Sequence, residues 1–117
     1  MPLNDTAKNL MLDALAAVAV YASCHTADPG TNGANEVTGG SPAYARKSIT
    51  WNAAATGALD DSNAPVFDIP AGTTVAFVGL WSALTNGTFY GSFDVTNEAF
   101  AAQGTYTLTD ADIDLNA

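Results

Sequence analysis

Basic residues are almost missing from this sequence. Lys8, Arg46 and Lys47 stand against twelve carboxylates, for a formal net charge of −9. Nucleic-acid binding that ignores sequence needs lysine and arginine to displace phosphate counterions, so this count argues against a nucleic-acid partner. It argues equally against an anionic membrane surface. The acidity itself reads as solubility and as repulsion between copies. Charge of either sign is scarce: charged residues are 13% of the chain and hydrophobic ones 48%, where an ordinary globular protein carries about 25% charged residues. Much of the surface must then be Ala, Gly, Thr, Ser and Asn, which neighbouring subunits bury readily, so the composition points to an assembly component.

Cysteine and histidine are nearly absent too. Cys24 is alone, which rules out an intrachain disulfide. It sits in the alternating run Val18, Val20, Ala22, Cys24 and reads as a small buried hydrophobe. His25 is the single histidine, and adjacent residues of a strand point to opposite faces, so Cys24 and His25 make a poor catalytic dyad. A serine triad would rest on His25 alone, and there is no Gly-x-Ser-x-Gly motif. Zinc ligands are too few, and no glycine-rich loop ends in Lys-Ser or Lys-Thr. These absences predict a protein that is not an enzyme and carries no cofactor. The N-terminal apolar stretch lacks a basic region before it and is interrupted by Lys8 and Asp13; it is expected to be neither a secretory signal nor a membrane span.

What is present is organised around Pro70–Val95. Val75, Phe77, Gly79 and Trp81 fall on one face of an extended run, and Phe89, Gly91, Phe93 and Val95 alternate on the return. Asn86-Gly87 between them tolerates the positive φ angles of a type I′ turn, so the stretch is predicted to be a β-hairpin. Its first strand is apolar on both faces, which predicts a central position. Upstream, Asn4 can cap a helix over about 5–17, with Ala7, Leu10, Met11, Ala14, Leu15 and Val18 at helical spacing as its core face. Leu12 and Ala16 widen that face, enough for a second contact on another chain. Period-two patterning predicts strands over about 18–25, 45–53 and 66–69, then near Tyr106–Leu108, with Ala99–Ala102 as a helical turn or an irregular crossing. At 117 residues the chain is the size of a single domain spanning 1–117. Six to eight short strands with closely spaced turns make it mainly β: an antiparallel β-sandwich, jelly-roll-like, over about 18–117, preceded by one N-terminal α-helix.

The candidate functional residues are mostly contact residues. Asp28-Pro29-Gly30 is a proline-preset turn. The long loop that follows, Thr31 to Ala43, lacks apolar periodicity and reads as a contact arm whose polar reach comes from Asn35 and Glu36. Arg46 is read as a solvated edge residue or as one half of an ion pair across a subunit boundary. Trp51 and Trp81 are expected to anchor the core. Asn86 and Gly87 set the central turn, and Asp60-Asp61 belongs to another turn. Asp110, Asp112 and Asp114, at i, i+2 and i+4, could offer three oxygens to Ca²⁺ from one face of a strand, although a charged strand edge explains the same spacing.

Three segments are distinctive together: His25-Thr-Ala-Asp-Pro-Gly30-Thr-Asn-Gly33-Ala-Asn-Glu36-Val, Gly39-Gly-Ser-Pro-Ala-Tyr44-Ala-Arg46-Lys, and Gly104-Thr-Tyr-Thr-Leu-Thr-Asp110-Ala-Asp-Ile-Asp114-Leu. They resemble small structural proteins of tailed bacteriophages, especially phages of actinobacteria, that are commonly labelled minor tail or tail-fibre proteins. The resemblance covers nearly the whole chain. It implies a non-enzymatic virion component, made in the host bacterial cytoplasm, whose partners are other virion proteins of the tail or the major capsid protein. As a virion part the chain is expected to form a homo-oligomer, with a trimer preferred because jelly-roll domains in viral particles often form trimers. The chain departs from a true fibre in having no repeats, no collagen-like or coiled-coil shaft and no tip domain. A capsid decoration protein is the nearest alternative, and a module that binds host-surface glycan through exposed Trp, Tyr and Asn is a third.

Overall fold

In the computed structural model, which describes residues 2–116, the chain runs α1 (Asp5–Ala16), β1 (Tyr21–His25), β2 (Lys47–Ser48), β3 (Ala58–Asp60), β4 (Val66–Ile69), β5 (Thr73–Trp81), β6 (Phe89–Phe100), β7 (Gly104–Thr107) and β8 (Asp112–Asp114). It is mainly β, with one helix and antiparallel pairing throughout the described strands. One sheet has the order β2-β1-β5-β6, and β3-β8 and β4-β7 form two-stranded ribbons. A jelly roll would divide the strands between two four-stranded sheets. Here the second layer is split into ribbons, so the sandwich expectation holds as antiparallel sheets on a common core and not as a jelly roll.

β5 is central because it is apolar on both faces, and it pairs β1 on one side and β6 on the other. The hairpin register places Val78 opposite Phe93 and Trp81 opposite Phe89. Asn86 and Gly87 both adopt positive φ, 56° and 79°, but they do not close the hairpin as a two-residue turn. The connection runs from Ser82 to Thr88, held by Ser82 N–H donating to Thr88 O at 3.0 Å and Thr88 N–H to Ser82 Oγ at 2.8 Å. β6 then continues through Phe100, so the helical turn or crossing expected at Ala99–Ala102 begins as strand.

Two predicted strands are shorter than their alternation suggests. Val18 and Ala19 donate to Leu15 O at 3.0 and 2.8 Å, which extends the helix end and delays β1 until Tyr21. Of the run 45–53 only Lys47–Ser48 is strand. Beyond it the backbone is captured locally: Thr50 N–H donates to Asn63 Oδ1 at 3.0 Å, Asn63 Nδ2 to Ser48 O at 3.1 Å, and Ser62 N–H to Thr50 O at 2.7 Å. β3 likewise claims Asp60 from the expected turn.

The core lies between the sheet and the ribbons, where Ile49, Phe67, Ile69, Val75, Val78 and Leu108 are almost fully buried. Each such side chain contributes about 1.5–3 kcal/mol of transfer free energy. Phe67 lies between Tyr44 and Tyr106, with ring centroids 6.4 and 6.5 Å away.

α1 begins as predicted, with Asn4 Oδ1 accepting from Ala7 N–H at 2.9 Å, but it is turned around. Leu12 is its one buried residue. Leu15 packs against the core, whereas Leu10, Met11 and Ala14, with Val18 just past the helix end, are exposed. The reason is polar. Gly57 N–H donates to Asn9 Oδ1 at 3.0 Å, Ala54 N–H to Asp13 Oδ1 at 2.8 Å, and Lys8 Nζ to Asn116 Oδ1 at 2.9 Å. The helix therefore docks through its hydrogen-bonding side. Among the described residues no helix is long and apolar enough to cross a membrane.

Candidate functional site

The long loop between β1 and β2 is held by charge. Glu36 pairs with β1 through a single bridge to His25, and its carboxylate takes both sides of the Arg46 fork, Nε to Oε2 and Nη2 to Oε1, each at 3.0 Å. Tyr44 Oη donates to the same Oε2 at 2.9 Å and accepts from Cys24 N–H at 2.9 Å. Arg46 Nη1 reaches the hairpin connection, donating to Ala83 O at 3.0 Å and Asn86 O at 2.8 Å. Its Cζ sits 3.6 Å from the Trp81 ring centroid. Arg46 is 9% exposed and Glu36 21%. Such a bidentate, stacked geometry is specific to arginine. Arg46 is thus neither a solvated edge residue nor half of an intersubunit pair; its partner is in the same chain.

Beneath this pair lies a second, uncharged network. Trp81 Nε1–H can only donate, and does so to Ser23 Oγ at 2.8 Å. Ser23 Oγ then gives its own hydrogen to His25 Nε2, 2.7 Å away. That leaves the ring proton on Nδ1, which donates to Ala34 O at 2.8 Å. His25 is held neutral by this chain of bonds. Burial pushes its pKa below the ordinary value and Arg46 adds to the fall, while the Ala34 bond and Glu36 oppose it. Burial, with Glu36 behind it, pushes the Cys24 thiol far up. Ser23, Cys24 and His25 are all 0% exposed, so they knit the sheet to the loop and do not face solvent.

The arm residues fold back onto the body. Gly30 N–H donates to Asp28 Oδ1 at 2.9 Å and Gly30 has φ +63°; Pro29 is fully buried. Asn35, at φ 65°, donates through Nδ2 to Asp28 O at 3.0 Å. Trp51 is half-buried against the core, its indole N–H donating to Ala19 O at 2.9 Å. A shallow groove of about 430 Å³ remains between the arm and the hairpin tip, lined by Glu36, Val37, Tyr44, Arg46, Leu84 and Asn86 among others.

The acidic residues gather differently from their sequence spacing. Asp60 stands opposite Asp112 in the β3-β8 ribbon, and Asp60, Asp110 and Asp112 bring one oxygen each within 4.8 Å of one another. Asp114 lies two pairs further along, opposite Ala58, and its Oδ1 accepts from Asn116 N–H at 2.7 Å. Asp60 thus takes the place expected for Asp114, because a cross-strand pair is closer than an i, i+2 neighbour. A hydrogen bond with Asp60, helped by slight burial and the charges of Asp110 and Asp60, pushes the Asp112 pKa up to about 6. Three exposed carboxylates of this kind are open to a cation but are also common without one.

Sequence patterning did not single out Ser23 or Tyr44 for these networks. Ser23 occupies a polar position in an alternating apolar run, the one local signal it gives; Tyr44 stands out only in the phage-like segment around Arg46.

The arm and its networks fill the segment His25–Lys47, two of the distinctive motifs, and a model of the podophage GP4 fiber I protein gp80 family matches residues 3–115. The chain belongs to that family. It is therefore a phage fibre-type structural protein associated with the virion. Among curated proteins no significant match is found. The two networks tie the long, glycine-rich loop to β1 and to the hairpin connection.

Proposed function

We propose that the chain is a non-enzymatic minor tail or tail-fibre-type protein of the actinobacteriophage kind, a single domain over 1–117 that acts through subunit-subunit contacts in the particle. The match of a phage fibre family over residues 3–115 carries this reading. Its partners are other virion proteins and further copies of itself, with a trimer as the preferred assembly. The burial of Ser23, Cys24 and His25 supports a non-catalytic role. The same reading is supported by Trp81, which lies under Arg46 and so offers no open ring to a glycan.

Gold-labelling of intact particles with an antibody to this chain tests the location. Label confined to the tail is the expected result. Label spread over the head would overturn it in favour of a decoration protein on the shell.

A further inference from the structure

Asparagine followed by glycine is a chemically labile pair, because the glycine nitrogen has no side chain beside it to hinder attack on the asparagine amide carbon. The sequence holds two such pairs, Asn32-Gly33 and Asn86-Gly87. The fold treats them differently. Gly33 N–H donates to Pro29 O at 3.1 Å, and Gly33 lies against the Trp81 indole so closely that a Cβ there would collide with it. Its nitrogen is occupied and its backbone is hemmed in. Around Asn86-Gly87, among the described residues, the hydrogen bonds run from Ser82 N–H to Thr88 O, from Thr88 N–H to Ser82 Oγ, and from Arg46 to Ala83 O and Asn86 O. None of them engages Gly87 N–H or the Asn86 side-chain amide, and both residues are exposed.

The backbone carbonyl of Asn86 is distinctive too. It accepts from Arg46 Nη1 at 2.8 Å, and Arg46 is itself fixed by Glu36 and Trp81. A cation already bonded to a carbonyl oxygen stabilises the oxyanion that forms when water adds to that carbonyl.

We propose that Asn86-Gly87 is a self-modifying site, at which Asn86 deamidates to isoaspartate and the new carboxylate forms on Arg46. The Gly87 nitrogen gives its proton to solvent and bonds to Asn86 Cγ. The Cγ–Nδ2 bond breaks, and ammonia leaves with a proton taken from solvent. A cyclic imide remains. Water then adds to the backbone carbonyl carbon of Asn86, whose oxygen Arg46 holds, and the bond from that carbon to the Gly87 nitrogen breaks. The chain now runs through Cβ and Cγ, and the former carbonyl is a carboxylate. One water enters and one ammonia leaves, with no oxidant or reductant. The loop gains a backbone atom and a negative charge, and a neutral acceptor of Arg46 becomes an ionic one. Addition of water at Cγ would give ordinary aspartate, without help from the Arg46 hydrogen bond.

The test is incubation of the purified chain in mildly alkaline buffer over several weeks, folded and in guanidinium chloride, followed by trypsin. Cleavage after Lys8, Arg46 and Lys47 puts Asn32 and Asn86 on different peptides, and the Asn86→Asp chain supplies the aspartate standard. In the folded chain Asn86 is expected to convert at least about tenfold faster than Asn32, whose glycine must first break a hydrogen bond and leave the indole. In guanidinium chloride the two rates should converge. The isoaspartate share at Asn86 should be higher in the folded chain than in the unfolded one. If Asn86 stays intact, or converts no faster than Asn32 while the chain is folded, the site is overturned. An equal isoaspartate share in the two states overturns the part given to Arg46. Neither result depends on where in the particle the gold label falls.

Discussion

Arg46 stacks its guanidinium on Trp81, with Cζ 3.6 Å from the ring centroid, while its Nε and Nη2 both donate to Glu36. One side chain thus joins the arm, the central strand and the hairpin connection. Arg46→Ala leaves the Glu36 carboxylate without its ionic partner and two loop carbonyls without donors, and is expected to cost about 3–5 kcal/mol in urea unfolding. Arg46→Lys keeps the charge but not the fork or the stacking, and should fall between. A loss within about 0.5 kcal/mol for Arg46→Ala would mean the node is ornamental.

Acid should weaken the fold through His25. Its folded pKa lies below the ordinary 6.5, with burial as the main cause, so as the pH falls the unfolded chain binds the proton first. The stability tied to the neutral ring is fully present above about 6.5 and is lost as the pH falls through that value toward the folded pKa. Protonation at Nε2 would also set two donors against Ser23 Oγ and leave the serine hydrogen without an acceptor. An NMR titration of the ring protons should give a midpoint below 6.5; a midpoint at or above it would contradict the neutral network.

Asp112 works in the opposite sense. Its pKa is pushed up to about 6 in the folded chain, so there the folded state binds the proton first. The fold gains stability as the pH falls from about 6 toward the ordinary 3.8, and loses it on the way back. Asp112→Asn removes this trend and relieves Asp60 and Asp110 at neutral pH. Thermal unfolding of Asp112→Asn should therefore be higher than wild type at pH 7 and should decline on acidification with no opposing rise from this residue.

Gly33 and Gly72 separate backbone from packing. Their φ angles are nearly the same, +78° and +76°, but a Cβ on Gly72 meets nothing within 4 Å, whereas one on Gly33 would collide with Cζ2 and Cη2 of Trp81. Gly72→Ala should cost about 1–2 kcal/mol for the left-handed backbone alone. Gly33→Ala should cost about 1–3 kcal/mol more, for overpacking against an indole held by Arg46 and Ser23. Equal losses in denaturant unfolding would show that the Trp81 contact is slack.

The elements that were legible in the sequence are those made by local rules. Asn4 and the helical spacing set the start of α1 and nearly its end, and alternation set β4 and the β5-β6 pair. Several of the errors come from side chains that bind backbone elsewhere in the chain. Asn63 takes the edge of the run after Ser48, so its alternation never becomes strand. Asn9 and Asp13 supply acceptors to Gly57 and Ala54, and this leaves most of the apolar stripe of α1 facing outward. Arg46 looked solvent-facing because a cation beside a lysine usually is; nothing within ten residues of it except Glu36 announces the pair. The acidic cluster was legible by residue type but not by membership, since Asp60 joins it only through the β3-β8 register.

β1 and β5 are neighbours in the sheet, with Tyr21 opposite Trp81 and His25 opposite Phe77, although more than fifty residues separate each pair along the chain. The β5-β6 hairpin and α1 can form from nearby residues. β1 cannot pair with β5 until most of the protein has been made, because loops of that length must close before any contact rewards them. During synthesis the segment Ala22–His25 is therefore the first apolar stretch of the sheet to emerge and among the last to be covered. Folding speed, and the risk of aggregation before the sheet closes, should be governed by how long that one strand waits.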